Sequence, residues 1–109
     1  MKKSGTTWQT VVELGRAMNN VEESTSYGTP ALKVRKKFLL RLKEDGQSIA
    51  IKIGFDEREM LMAADPEAFY LTDHYRPYPA MLVRLPKVTR DQLRDVLSLA
   101  HAFVTSKRR

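Results

Sequence analysis

Three segments in the first half of the chain alternate apolar and polar residues, and this two-residue period constrains the fold more than any other feature of the sequence. The segments are residues 32–35, 38–43 and 49–53. Such alternation is typical of β-strands that bury one face. Lys36-Lys37 joins the first two segments closely, and Asp45-Gly46 between the last two is a strong hairpin signal. The pattern therefore predicts three antiparallel strands connected as a meander.

Three other segments have the 3.6-residue period of amphipathic helices. The first spans residues 6–19. The second begins with a capping box formed by Asp56 and Glu59, and the third with one formed by Thr89 and Gln92. Their predicted apolar faces are, in chain order, Trp8, Val11, Val12, Gly15 and Met18, then Met60, Leu61 and Ala64, then Leu93, Val96, Leu97, Ala100 and Val104.

The remaining segments have weaker patterns. Residues 21–30 are rich in Ser, Thr, Gly and Pro and are predicted to be irregular. Residues 69–72 are predicted to form a short strand, and residues 81–85 a further strand that Pro86 ends. Residues 73–79 contain two prolines, which excludes a central strand there because proline has no backbone donor.

The resulting element order, α-β-β-β-α-β-β-α, predicts an α+β fold in which an antiparallel sheet packs against helices. At 109 residues the chain has the length of one domain. We expect that domain to span residues 1–109, with loosely held ends at 1–5 and 106–109. The longest uncharged run, residues 96–106, is shorter than the ~18 residues that a membrane span needs. The absence of cysteine excludes disulfides and favours a cytoplasmic protein. We further expect a monomer or weak dimer that does not associate with membranes.

Positive charge is concentrated in the predicted strands. The net charge is +6, and residues 33–43 contain six basic residues and no acidic one. If the apolar strand residues face the helices, a surface of one sign covers the other side of the sheet. Such a surface attracts polyanions, most obviously a phosphate backbone, although it can also serve solubility alone. The residues predicted on this side are Lys33, Arg35, Arg41, Lys43, Lys52 and Arg84, with the uncharged Leu39, Ala50 and Leu82.

Aromatic residues cluster in the proline-bounded loop. Tyr70, Tyr75 and Tyr78 lie within nine residues, together with Arg76. Tyrosine and arginine on a stiff loop suit stacking on bases or contact with a partner protein, and burial of the rings under the sheet edge is an equally good interpretation. A small-molecule pocket is a further alternative, and its candidate residues are Glu23, Tyr27, Tyr75 and Tyr78.

The sequence gives no support for catalysis or for a metal site. Ser24, Thr25 and Ser26 supply hydroxyl groups, but no Gly-x-Ser-x-Gly elbow surrounds them. His74 and His101 are far apart, and neither belongs to a two-ligand metal motif. We therefore expect a non-enzymatic protein without a cofactor.

Two stretches, residues 21–34 and 64–75, resemble the MmcQ/YjbR family of small bacterial proteins. The most specific part is a glutamate-Gly-Pro turn that leads into a basic strand, and the resemblance extends from Trp8 to about Phe103. A double-wing DNA-binding role has been inferred for that fold, in which two β-hairpins direct basic residues toward a duplex. The resemblance thus implies DNA as a partner, and a protein-interaction or chaperone-like module is the alternative.

Carried over to this chain, the resemblance assigns the first wing to residues 32–42 and the second to residues 70–84. The second wing departs from better-known members, which have a Gly-Tyr-His-Met-Asn-Lys-Lys-His-Trp-like stretch where this chain has residues 75–83 with a single cation before Arg84. Low sequence preference is expected, because no Asn, Gln and Arg set lies on an obvious recognition helix. The implied contact residues are Lys33, Arg35, Lys36, Lys37 and Arg41 in the first wing and Arg76 and Arg84 in the second.

Overall fold

In a computed structural model, residues 5–106, the part of the chain that the structure describes, form three α-helices and one six-stranded antiparallel sheet. This confirms the predicted α+β class. The prediction of loosely held ends concerns residues that lie mostly outside the described range. No helix within that range is long and apolar enough to cross a membrane. The elements are α1 (Trp8–Arg16), β1 (Val21–Ser26), β2 (Thr29–Val34), β3 (Lys37–Leu42), β4 (Ser48–Lys52), α2 (Phe55–Ala64), β5 (Phe69–Tyr70), β6 (Ala80–Arg84) and α3 (Arg90–Thr105), with single 3-10 turns at Asp73–Tyr75 and Leu85–Lys87.

The strand order across the sheet is β1-β2-β3-β4-β6-β5. The first four strands form a meander, and β6 pairs with β4 after the chain has passed through α2 and β5. Helices α1 and α3 pack together, α3 crosses β2, β3 and β4, and α2 packs near β5 and β6. The core lies between the sheet and these helices, and its members include Leu32, Leu40, Ile49, Ile51, Met81, Leu93, Val96 and Leu97.

The predicted irregular segment at residues 21–30 is wrong, because most of it forms β1 and the start of β2. Strand β1 pairs with β2 along its whole length, from Val21 with Val34 to Ser26 with Thr29. It is an edge strand whose side chains all remain at least partly exposed. Its sequence shows no alternation of apolar and polar residues, because neither face of the strand is buried in the core.

A β-bulge changes the predicted direction of two side chains in β3. Leu32 pairs with Leu40, but Lys33 pairs with Phe38, so Leu39 is an extra residue in β3. Leu39, predicted to point away from the helices, is fully buried in the core. Phe38, predicted to face the helices, shares the opposite face with Lys33 and is half-buried.

Helix α2 begins earlier than predicted and buries a different face. Its N-cap is Gly54 without a side-chain cap, so the predicted capping box at Asp56 is wrong. Both acidic residues of the first turn, Asp56 and Glu57, instead lie near the positive end of the helix dipole. The side chains that face the core are those of Arg58, Leu61 and Met62, spaced i, i+3, i+4. The predicted Met60 and Ala64 are exposed instead.

The closing helix and the hairpin before β4 are confirmed. Thr89 and Gln92 form the predicted capping box at the start of α3, with reciprocal hydrogen bonds of 3.1 and 2.9 Å. Gly46 adopts a left-handed conformation with φ 72°, and the Asp45 carboxylate accepts hydrogen bonds from the amides of the two residues that follow Gly46. These local signals therefore predicted the turn and the helix start correctly.

Candidate nucleic-acid interface

The strand register separates the two faces of the sheet. Residues that pair directly across antiparallel strands point to the same side. Arg41 pairs with Ala50 and Ala50 with Leu82, so all three lie on the face away from the helices, which we call the outer face. Lys33, Phe38, Lys52, Tyr70 and Arg84 share this face by the same register.

An open cleft of about 690 Å³ lies over the outer face. The small side chains Ala50 and Ala80 form part of its floor, and both are buried. The β1–β2 turn borders it on one side and the loop of residues 73–79 on another. The residues that line this outer cleft are Ser26, Tyr27, Phe38, Arg41, Ala50, Lys52, His74, Tyr75, Tyr78 and Ala80.

The outer cleft contains three of the four predicted pocket residues. Tyr27, Tyr75 and Tyr78 line it. Glu23 does not, because it pairs with Leu32 on the helix side of the sheet, where its carboxylate meets Arg16 at 3.1 Å. Phe38 joins the cleft only because of the bulge in β3, and no residue pattern in the sequence marks that bulge.

Arg58 holds the 73–79 loop in place, and no pattern in the sequence singles it out. Its side chain reaches from α2 to three backbone carbonyls, those of Tyr78 at 2.8 Å, Ala80 at 3.2 Å and Arg76 at 3.3 Å. The guanidinium also lies 4.8 Å from the ring centre of Phe55. Because Arg58 is only 5% exposed, this buried cation fixes the loop that carries Tyr75 and Tyr78.

Arg41 is part of the cleft floor. It is 8% exposed, and its guanidinium lies 5.2 Å from the ring centre of Tyr27. It donates hydrogen bonds to the Thr29 hydroxyl at 3.2 Å and to Glu44 at 3.4 Å. A hydrogen bond from the backbone of Glu44, followed by the charge of Arg41, holds the pKa of Glu44 below its usual range. Arg41 therefore supports the cleft with its charge already partly balanced.

Three further predicted contact residues are also engaged within the protein. Lys43 lies 3.3 Å from the hydroxyl of Tyr75 and 3.9 Å from Glu44. Arg76 pairs with Asp73 at 3.4 Å. Arg84 stacks on the ring of Tyr70 at 3.9 Å and donates to the Glu67 carbonyl at 2.8 Å. Arg76 and Arg84 are thus engaged within or next to the second predicted wing, and Lys43 joins β3 to that wing at Tyr75.

A second group of cations, which we call the tip cluster, lies at the β2–β3 turn and the end of β4: Arg35, Lys36, Lys37 and Lys52. Arg35 and Lys36 form the turn with φ of 51° and 72°, and both are exposed together with Lys37. Lys37 and Lys52 line a smaller cleft of about 350 Å³ with Phe38. Within residues 5–106, none of the four has a carboxylate oxygen within 4.0 Å.

The charges around Lys33 are of both signs, whereas the sequence predicted only positive ones. Strand β1, which the sequence did not reveal, places Glu22 directly opposite it. The prediction that no acid joins the outer-face cations is therefore wrong at this edge. The uncompensated charge is concentrated at the β2–β3 turn and around Lys52.

The two histidines lie apart. His74 packs edge-on against Tyr75, with ring centres 4.9 Å apart, while His101 on α3 contacts the Asn19 carbonyl at 2.8 Å. Among the residues that the structure describes, no three His, Asp or Glu side chains come together as a metal site requires.

Comparison with known proteins relates this architecture to one family. The family model described as YjbR matches residues 16–103. A crystal structure of Deinococcus radiodurans protein DR2400, with a domain described as DUF419, has a similar fold. Its TM-score is 0.78 at 18% sequence identity, over 98% of this chain and 84% of that one. No curated protein sequence matches the chain.

Proposed function

The chain belongs to the YjbR family, and we propose that it is a DNA-binding protein that holds phosphate groups with the tip cluster and has little sequence preference. The observation that carries this proposal is the concentration, at the β2–β3 turn, of cations that have no carboxylate partner within residues 5–106; the guanidinium of Arg35 contacts only the side-chain amide of Asn20, at 3.1 and 3.2 Å. Lysine and arginine side chains that neutralise phosphates bind any sequence, since the backbone is the same throughout a duplex.

The distribution of ion pairs distinguishes the tip cluster from the rest of the surface. Seven ion pairs occur within residues 5–106. On α3, for example, Arg90 pairs with Glu13 and Arg94 with Asp91, each at 3.1 Å. A solubility surface is expected to mix both signs in this way. The tip cluster does not mix them, which supports a polyanionic partner.

The position of the β2–β3 turn also supports this function. Strands β2 and β3 lie between β1 and β4, so the basic turn that joins them lies at one end of the sheet, where it can contact phosphates without a strand entering a groove. The second predicted wing contributes less, because Arg76 and Arg84 already have partners within the protein. The proposal therefore assigns most of the binding to one hairpin.

The test is the affinity for duplex DNA across a salt series. Four phosphate contacts predict a slope of about −3.6 in a plot of log affinity against log salt concentration. The double variant Lys36→Gln, Lys37→Gln should make this slope shallower by about 2, since each lost contact removes about 0.9.

A matched control removes the same net charge elsewhere. Arg90→Gln with Arg94→Gln also lowers the net charge by two, on helix α3. We expect this variant to keep the wild-type slope. Equal slopes for both variants would contradict the proposal, as would wild-type binding no tighter than that of an unrelated protein of equal charge.

Protein binding is a second candidate, favoured by a groove that exposes three large apolar side chains and adjoins the smaller cleft of Lys37 and Lys52 at Phe103. The groove lies between α2 and the end of α3, where Phe55, Leu99 and Phe103 are 46%, 36% and 39% exposed. Contacts of this kind are insensitive to salt. Binding of a partner there should be lost on Phe55→Ser and kept on Lys36→Gln, the reverse of the pattern expected for DNA.

A further inference from the structure

We propose that the outer cleft binds unpaired bases, so that the preferred ligand is single-stranded rather than duplex DNA. This inference rests on the proposed function, because it uses the tip cluster to hold the phosphates of the same strand. What it adds is a second contact, between the aromatic rings of the cleft and the bases.

The first support is the exposure of the aromatic rings. Tyr27 is 87% exposed and Tyr78 is 55% exposed, whereas tyrosine side chains are on average only partly exposed in folded proteins. Both line the same cleft with Phe38. Rings held at the surface are a platform on which bases stack, and this contact does not depend on sequence because every base has a flat face.

The second support is the backbone of Tyr27. Its φ is 55°, in the left-handed region that favours glycine or asparagine. Within its hairpin it occupies a turn position where Asn or Asp ordinarily precedes Gly28. A strained residue with an exposed ring is typical of a ligand-contact position rather than of a position chosen for stability.

The third support is charge complementarity and continuity with the tip cluster. Among residues 5–106, no carboxylate side chain lines the outer cleft, whereas Lys52 and the partly balanced Arg41 do. Phe38 and Lys52 line both this cleft and the smaller one that contains Lys37. A strand held by the tip cluster therefore meets Phe38 first, and it reaches Tyr27, at the opposite end of β2, only by extending along the cleft.

The fourth support is the stiffness of the loop and the space in front of it. Arg58 fixes the loop that carries Tyr75 and Tyr78, so little conformational entropy is lost when a ligand binds. Ala50 and Ala80 leave the floor open to a flat ring. In a duplex the faces of the bases are covered by their neighbours, so only an unpaired base can use this space.

The experiment compares three DNA probes of equal phosphate number by fluorescence anisotropy: a short oligothymidylate, an abasic strand of the same length, and a duplex. We expect the oligothymidylate to bind about five-fold or more tightly than the abasic strand, as base stacking on aromatic side chains predicts. Equal affinity for these two strands would overturn the inference.

Variants then test the rings. Tyr27→Ala with Tyr78→Ala should remove the preference for oligothymidylate and leave affinity for the abasic strand unchanged. Tyr27→Phe with Tyr78→Phe keeps the rings and should keep the preference. Both residues are exposed, so neither pair should disturb folding. A preference that survives the alanine variant would contradict the inference.

The failure of this inference differs from failure of the proposed function. If salt-dependent binding of the abasic strand and the duplex persists without any preference for bases, the tip cluster binds phosphate and the cleft does not bind bases. If no probe binds in a salt-dependent manner, both proposals fail. The affinity for thymidine monophosphate is measured as well. If this free nucleotide binds as tightly as the oligothymidylate, the ligand of the cleft is a nucleotide and not a single strand, and the inference is overturned.

Discussion

Replacing Arg58 with methionine should lower the free energy of unfolding by about 2–3 kcal/mol. The substitution keeps a long, mostly apolar side chain against Phe55 while it removes the guanidinium. The three carbonyls of Arg76, Tyr78 and Ala80 then lose their donor. The loop that borders the outer cleft loses its main attachment to α2.

The magnitude follows from opposing contributions. Two of the three hydrogen bonds, at 2.8 and 3.2 Å, have ordinary lengths, and the third, at 3.3 Å, is long. Hydrogen bonds from charged groups contribute roughly 1.5–3 kcal/mol each, so the two together supply about 3–6 kcal/mol. Burial of the charge opposes this, and the Nε of Arg58 is buried without a partner. A net loss of about 2–3 kcal/mol remains.

Urea unfolding measures the effect. With a slope of roughly 1–3 kcal/mol per molar urea, the transition midpoint should fall by about 0.7–3 M. Amide hydrogen exchange gives a local readout, because the amides of Tyr78 and Ala80 donate to carbonyls within the loop. Exchange at both should become faster in the variant, more than at the amides of β3 and β4.

The control is Arg94→Met, which removes the same charge from a side chain that is 54% exposed and paired with Asp91. Exposed ion pairs contribute about 0–1 kcal/mol, so its midpoint should stay near that of the wild type. If Arg58→Met unfolds at the same urea concentration as the wild type or as Arg94→Met, the loop does not depend on this buried cation and the reasoning fails.

Two further predictions concern turns. Lys36→Gly should raise the free energy of unfolding in urea by about 0.5–1 kcal/mol, because glycine adopts the left-handed conformation without strain. The same variant should weaken DNA binding, because it loses one positive charge. A lower free energy of unfolding would contradict the prediction of stability. Hydrogen bonds from Gln47 and Ser48 lower the pKa of Asp45 below its ordinary value of 3.8. At a pH above 3.8 the ionised carboxylate therefore stabilises the folded state, and this stabilisation is lost as the pH falls through the lowered pKa. Asp45→Asn should therefore make stability less dependent on pH in the acid range, and an unchanged dependence in acid unfolding would refute this role.

The sequence predicted elements whose local pattern agrees with their environment. The alternation in β2 and β4, the Asp45-Gly46 turn and the capping box at Thr89 each depend on neighbouring residues, and each is confirmed. Strand β1 was missed because an edge strand exposed on both sides has no apolar alternation to detect. Its existence is decided by pairing with β2.

The candidate site was harder to predict because it depends on tertiary contacts. The tyrosines of the cleft were found from their clustering in sequence, but Phe38 enters only through a bulge that neither glycine nor proline marks. Arg58 lies between acidic residues in a stretch typical of a solvated helix. Its burial follows from the arrival of the 73–79 loop over α2, which a local pattern does not show.

The open edge of the sheet at β1 also affects how the protein behaves at high concentration. An edge strand leaves a row of backbone donors and acceptors that another chain can pair with, and this is a common route to aggregation. In β1 the edge consists largely of short hydroxyl side chains and the adjacent carboxylates Glu22 and Glu23. Two such edges brought together would place like charges side by side, so the strand that is least evident in the sequence also protects the chain against edge-to-edge association.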